Sequence, residues 1–240
     1  MKHLAIIAFG CSGTNAIVDH LFNNSSIWVH DNKEPLNIKF LKANKNLMDK
    51  SYDWYEDHLL PMIENAEKEN KLLLIHIKPG HFTDNHLTLK EGIDTLKEKF
   101  DFITIKRNNY ISKICSGEVK KVAKTSSEVK KIKIGEMVKS FFNALHRMDI
   151  INDIIPIYIS PNKWVHIDYE TEINKDVRAA SDKVTKFYGI YENYNYEKKR
   201  FNFHAQKNKW SDIPLKDKIE NWEEIVEALR GTKYEWMLEG

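Results

Sequence analysis

"IIAFGCSGTNAIVDHLF", residues 6–22, carries an apolar run into a glycine-punctuated turn and on into an amphipathic stretch. Ile6, Ile7, Ala8 and Phe9 read as a buried strand, and Ile17, Val18 and Leu21 fall on one helical face. Between them stand Gly10, Cys11, Ser12, Gly13, Thr14 and Asn15, which tolerate tight backbone geometry or carry hydroxyl, thiol and amide groups. A strand, a glycine turn and a helix start leave several backbone N–H groups without helical partners at the positive end of a dipole. That combination predicts an anion site.

Composition narrows the classes of function. At 240 residues, 42% hydrophobic and 11% aromatic, the chain can bury a sizeable core, and residues 1–240 read as a single domain. A formal net charge of +2 is too small for bulk binding of nucleic acid, so an anionic ligand would be steered locally. Two cysteines, Cys11 and Cys115, cannot build a disulfide framework. The opening apolar run is broken by Gly10 and is too short for a signal peptide or membrane span. The expectation is a cytoplasmic protein with no membrane span and an open oligomeric state.

Further along, strands are expected at 25–31, 71–80, 101–107 and 164–170, with Pro79-Gly80 stopping the second of these. Helical spacing marks 53–70, with a break at Pro61, then 86–100, 108–124 and 135–153. It recurs at 174–189, capped by Gly189, and at 216–231, ending at Gly231. The lysine-rich stretch 120–135 reads as a helix end and surface loop. Strands alternating with helices predict a three-layer, P-loop-like α/β domain whose mainly parallel central sheet is flanked by helices. Ligands of such sheets bind beyond the carboxyl ends of strands, which selects the turns after Phe9, Asp31, Lys78 and Arg107.

The first turn lacks the lysine that precedes Ser/Thr in nucleoside triphosphatase loops, and it lacks the three-glycine Rossmann spacing. Ser12-Gly13-Thr14 at a strand end instead resembles the 5′-phosphosulfate loop of the PAPS-dependent sulfotransferases. "ITIKRNNYISKICSGEVKKVAK" resembles that family's second signature, a strand ending in Arg107 and followed by a helix bearing Ser116. "WVHIDYETEINKDVRAASDKVTKFYGI" resembles its late strand with a Tyr-Glu pair, and residues 205–238 resemble the C-terminal segment of the bacterial, nodulation-factor and glycolipid-type branch.

The resemblance implies a sulfuryl transfer from PAPS to a hydroxyl or amine of a small-molecule or carbohydrate acceptor, leaving adenosine 3′,5′-bisphosphate. Gly10 to Asn15 would hold the 5′-phosphate through backbone amides and the Ser12 and Thr14 hydroxyls. By the same resemblance Arg107 and Ser116 would take the 3′-phosphate, Tyr169 would lie near the adenine, and Gln206 and Lys207 would belong to a cofactor-binding loop. Cys11 stands where many members carry Lys or Arg, and Lys78 is the best candidate for the replacement cation.

In "HIKPGHF", residues 76–82, His81 suits a general base by its near-neutral reference pKa, which predicts a rate falling below roughly pH 6.5. The bacterial branch often uses a carboxylate after the second strand, for which "VHDNKEPLN" offers Asp31 and Glu34 beside His30. His76, His81 and His86 stand at five-residue intervals that do not fit a helical metal motif, and no metal is expected. Two other readings stay open: a nucleotide or small-molecule kinase with a degenerate phosphate loop, and a non-catalytic nucleotide-binding relative.

Overall fold

The computed structural model describes residues 2–10, 12–29, 34–37, 53–115, 131, 133–134, 145–146, 149–150, 153–159, 163–191, 194–195 and 213–239. Its contacts fall into two compact units, one of residues 1–106 and 153–200, the other of residues 107–152 and 201–240.

In the first unit β1 (His3–Ala8) and α1 (Thr14–Phe22) flank the glycine turn. β2 (Ile27–Trp28) is much shorter than the expected strand. Trp54–Leu59 form a π-helical turn that passes into α2 (Leu60–Lys68). Pro61 sits where the π-helical turn passes into α2 and the chain stays helical, so the expected break is a change of helical register. β3 (Leu72–Ile77) follows, then α3 (Pro79–Asp84), α4 (Leu89–Leu96) and β4 (Phe100–Lys106). After the second unit's first segment the chain returns through helical residues 153–158 to β5 (Trp164–Asp168), a π-helical turn Tyr169–Ile173, and α5 (Val177–Phe187).

The five strands pair in the order β2-β3-β1-β4-β5, all parallel, forming an α/β sheet flanked by helices. Every β1 residue is buried. Leu4, Ile6 and Ala8 face α1 and α5 with Ile103, Ile105, Val165 and Ile167. Ala5 and Ile7 alternate onto the opposite face. By the right-handed rule for parallel crossovers, the β2→β3 and β3→β4 connections put their helices there, because they run across the sheet opposite to β1→β2. Both faces are therefore covered, as near-continuous apolar parallel strands require. The β1 and β4 connections leave in opposite directions, the topological position at which open α/β sheets bind ligands.

Several elements depart from expectation for local reasons. Pro79-Gly80 starts a helix rather than only ending β3, because proline's fixed φ suits a first helical position. Tyr169 and Glu170 belong to the helical turn after β5, where Asp168 Oδ1 accepts from Thr171 N at 2.8 Å and caps it. Gly189 closes α5 as expected: at φ +62° it lets Ile190 N donate to Thr185 O (2.8 Å) and Gly189 N to Lys186 O (3.2 Å).

In the second unit residues 110–115 are helical, and the expected tail helix divides into α6 (Leu215–Lys218) and α7 (Trp222–Leu229) with Ile219 extended between them. The cause is tertiary. Asn221 accepts from Ile134 N at 3.0 Å and donates to Ile134 O at 3.1 Å, pairing its amide like a strand neighbour. Tyr110, Ile111, Cys115 and Ile134 share a core with Ile219, Ile225, Leu229, Tyr234 and Met237.

α3 and α4 meet where α4 has no side chain: a Cβ on Gly92 would stand 2.1 Å from Phe82 Cδ1. Gly92→Ala must therefore push α3 and α4 apart. We expect a loss of roughly 1–3 kcal/mol from overpacking, a drop of several degrees in Tm. A thermal melt matching the parent would contradict this packing.

Candidate functional site

β1 and β3 end side by side, with Ile7 and Ile77 as register partners. Beyond them lie the glycine turn on one side and Lys78 on the other. The Lys78 stem runs against the turn, its Cε 3.6 Å from where a Cβ on Gly10 would stand. Its ammonium reaches Glu34 Oε2 at 2.7 Å. Glu34 also lies 3.4 Å from His76 Nδ1 and 3.8 Å from His81 Nε2. Three of the four candidate catalytic residues, Lys78, His81 and Glu34, are thus brought together.

His76 is the member that motif reading passes over as part of a failed metal pattern. Only 2% exposed, it lies in the apolar run of β3, and its Nε2 stands 3.2 Å from the carbonyl of Ala8, the last residue of β1. A carbonyl only accepts, so Nε2 is the donor and Nδ1 is the nitrogen that faces Glu34. The available signal was a lone polar residue inside an otherwise apolar strand, two positions before the lysine.

The electrostatics follow from these contacts. Burial pushes the Glu34 carboxyl upward, but its contacts to His76 and Lys78 outweigh burial and hold it far below the usual carboxylate range. Burial lowers the His81 imidazole from 6.5 to about 4, with the nearby Lys78 and His76 acting in the same direction and Glu34 against them. Geometry also limits His81 as a base. Its Nδ1 accepts from Lys78 N at 3.3 Å, which places the ring proton of the neutral form on Nε2, facing Glu34. The lone pair a base would use is engaged at the start of α3. An acid limb near pH 6.5, expected from an ordinary imidazole, therefore does not apply to His81.

At the turn itself, Gly13 adopts φ +82° and precedes α1 with no side chain capping the helix. A Cβ there would lie 2.8 Å from Tyr169 Cδ2, so the Tyr169 ring closes over the loop at a point only glycine permits. Ser12 and Thr14 are buried, and Thr14 Oγ1 has no hydrogen-bond partner among the described residues. A buried hydroxyl in that condition carries a desolvation cost that an oxyanion would relieve. Among the described residues no three His, Cys, Asp or Glu are disposed to hold a metal ion. Arg107 directly follows β4 and opens the second unit. Cys11, His30, Asp31, Ser116, Gln206 and Lys207 lie outside the described residues. No helix of the described residues is long and apolar enough to cross a membrane.

No family model matches the chain, and no curated protein matches it.

The shift at His81 carries a sign that can be measured. Between about pH 6.5 and 4 the unfolded chain takes a proton on this residue and the native chain does not, so its contribution to stability falls on acidification through that window. The full shift corresponds to about 3 kcal/mol at most. His81→Asn keeps an acceptor for Lys78 N but removes the titration. We expect its melting temperature to decline less than the parent's from pH 6.5 to 4. Parallel declines would assign the acid sensitivity elsewhere.

Proposed function

We propose that the chain is a PAPS-dependent sulfotransferase acting on a hydroxyl or amine of a small-molecule or carbohydrate acceptor. One observation carries the reading. A lysine lies along an uncapped glycine turn at the start of a helix and is paired at 2.7 Å with a carboxylate. A cation beside an anion loop is what transfer of a charged group to a nucleophile requires, and the carboxylate adds a proton acceptor. The loop residues suit the donor's 5′-phosphate: the helix start has no competing side-chain cap, and Thr14 Oγ1 has an unmet hydrogen bond.

In this reading the backbone of the Gly10–Asn15 turn with the Ser12 and Thr14 hydroxyls holds the 5′-phosphate, and Lys78 neutralises charge on the transferring group. Glu34 takes the proton of the acceptor hydroxyl as its oxygen bonds to sulfur. The S–O bond to the 5′-phosphate breaks, and the electron pair leaves with adenosine 3′,5′-bisphosphate. Glu34 is favoured over His81 because the free lone pair of the neutral imidazole is spent on Lys78 N. His81 then serves by starting α3 and flanking Glu34. Tyr169, whose ring lies against the loop at Gly13, offers the adenine a ring face. The resemblance further assigns the 3′-phosphate to Arg107.

Calorimetry separates this from the kinase reading. Adenosine 3′,5′-bisphosphate should bind more tightly than ATP, and Arg107→Ala should weaken it roughly tenfold to a hundredfold, the loss of a charge-assisted contact. A preference for ATP would favour the kinase. Transfer of labelled sulfate from PAPS to a panel of hydroxylated acceptors separates an enzyme from a binding relative.

A further inference from the structure

Lys78 and Glu34 are unequally fixed. The turn bearing Glu34 is anchored: Pro35 and Leu36 are buried, and the Leu36 carbonyl accepts from Asn85 Nδ2 at 3.1 Å. Asn37 N donates to the Glu34 carbonyl at 3.1 Å, and Asn37 Nδ2 donates to Glu34 Oε2 at 3.0 Å. His76, itself buried between Ala8 and Glu34, lies 3.4 Å from the other carboxylate oxygen. The Lys78 side chain is 34% exposed and lies along the glycine turn. Of the two partners, the lysine is the one with room to change its contact.

We propose that Glu34 keeps Lys78 in store, and that a donor anion arriving at the β1–α1 turn draws the ammonium off the carboxylate. The exchange does two things at once. It brings a cation to the anion, and it takes from Glu34 one of the groups that suppress its basicity, leaving Asn37, His76 and His81 beside it. Proton acceptance by Glu34 thereby becomes conditional on the donor being bound, which orders the reaction donor first. This rests on the sulfotransferase reading for the role of Glu34, while the exchange itself needs only an oxyanion at the turn.

The anion and Glu34 compete for one lysine, so weakening Glu34 must strengthen anion binding, and only while Lys78 is present. The test is calorimetry with two probes, adenosine 3′,5′-bisphosphate and inorganic pyrophosphate, on the parent, Glu34→Gln, Lys78→Met and the double variant. Glu34→Gln should bind both probes roughly threefold to thirtyfold more tightly, and Lys78→Met should weaken both. In the Lys78→Met background Glu34→Gln should change nothing. A gain that survives Lys78→Met is general charge repulsion and overturns the exchange, as does no gain at all. Glu34→Asp keeps the net charge while shortening the reach, so a smaller gain is expected from it; it also serves if Glu34→Gln fails to fold. Pyrophosphate following the cycle while the parent ignores adenosine 3′,5′-bisphosphate would sink the sulfotransferase reading and leave the exchange standing. Binding of neither probe to the parent sinks both.

Discussion

β1 is paired on both edges and covered on both faces, and this enclosure conditions everything around it. Six consecutive buried residues leave no water for a polar atom, so any polar group admitted beside the strand must bring its own partner. Two histidines do so through one ring nitrogen each, one at each end. His3 Nδ1 accepts from Leu73 N at 3.0 Å, and His76 Nε2 donates to Ala8 O at 3.2 Å. Both link β1 to β3 by side chain as well as by backbone. At the carboxyl end the ring that satisfies the last carbonyl of β1 turns its other nitrogen toward Glu34, 3.4 Å away. The strand's need for a partnered end thus places an imidazole beside the carboxylate.

The Glu34–Lys78 pair is a poor candidate for a stabilising device. A fully buried pair resists removal of one partner by several kcal/mol, but exposed pairs contribute little. With its side chain 34% exposed, Lys78 belongs nearer the second case, and its ammonium keeps access to water. The strong depression of the Glu34 carboxyl comes from both His76 and Lys78. Of these two contacts the buried one is set by the fold, and the exposed one is adjustable. A carboxylate whose neighbours include one exposed, adjustable cation can have its basicity altered without moving the backbone.

Much of this was legible in the sequence, and the failures are instructive. The apolar runs of β1, β3 and β4 and the alternation with helices identify the sheet because burial on both faces leaves little polar interruption. The glycine turn reads correctly because its residues are chosen for backbone geometry, a local property. Lys78, His81 and Glu34 were reachable because each follows or borders a strand end. His76 was not, since one polar residue in a buried strand shows its purpose only through Ala8 and Glu34, neither of them near it in sequence. The tail at 216–231 was misread for the same kind of reason: its period is helical throughout, and only Ile134, bound to Asn221, reveals the break. Pro79-Gly80 does stop β3 and also opens α3, because proline ends one element and begins the next with the same fixed φ.

In the proposed reading the Gly10–Asn15 turn takes a phosphate without a lysine of its own, and the resemblance puts Cys11 where many members carry Lys or Arg. The physical requirement is a positive charge within reach of the anion, and nothing in electrostatics demands that it come from the same loop. Parallel pairing of β1 with β3, in the register that aligns Ile7 with Ile77, brings the next residue after β3 alongside the residues that leave β1. A lysine there is as near the turn in space as one inside it, as the approach of Lys78 to Gly10 attests. Supplying the charge from a neighbouring strand has one consequence that a loop lysine would not share. The cation stands between the loop and whatever follows β2, so it can be held by a carboxylate on that side, and Glu34 holds it.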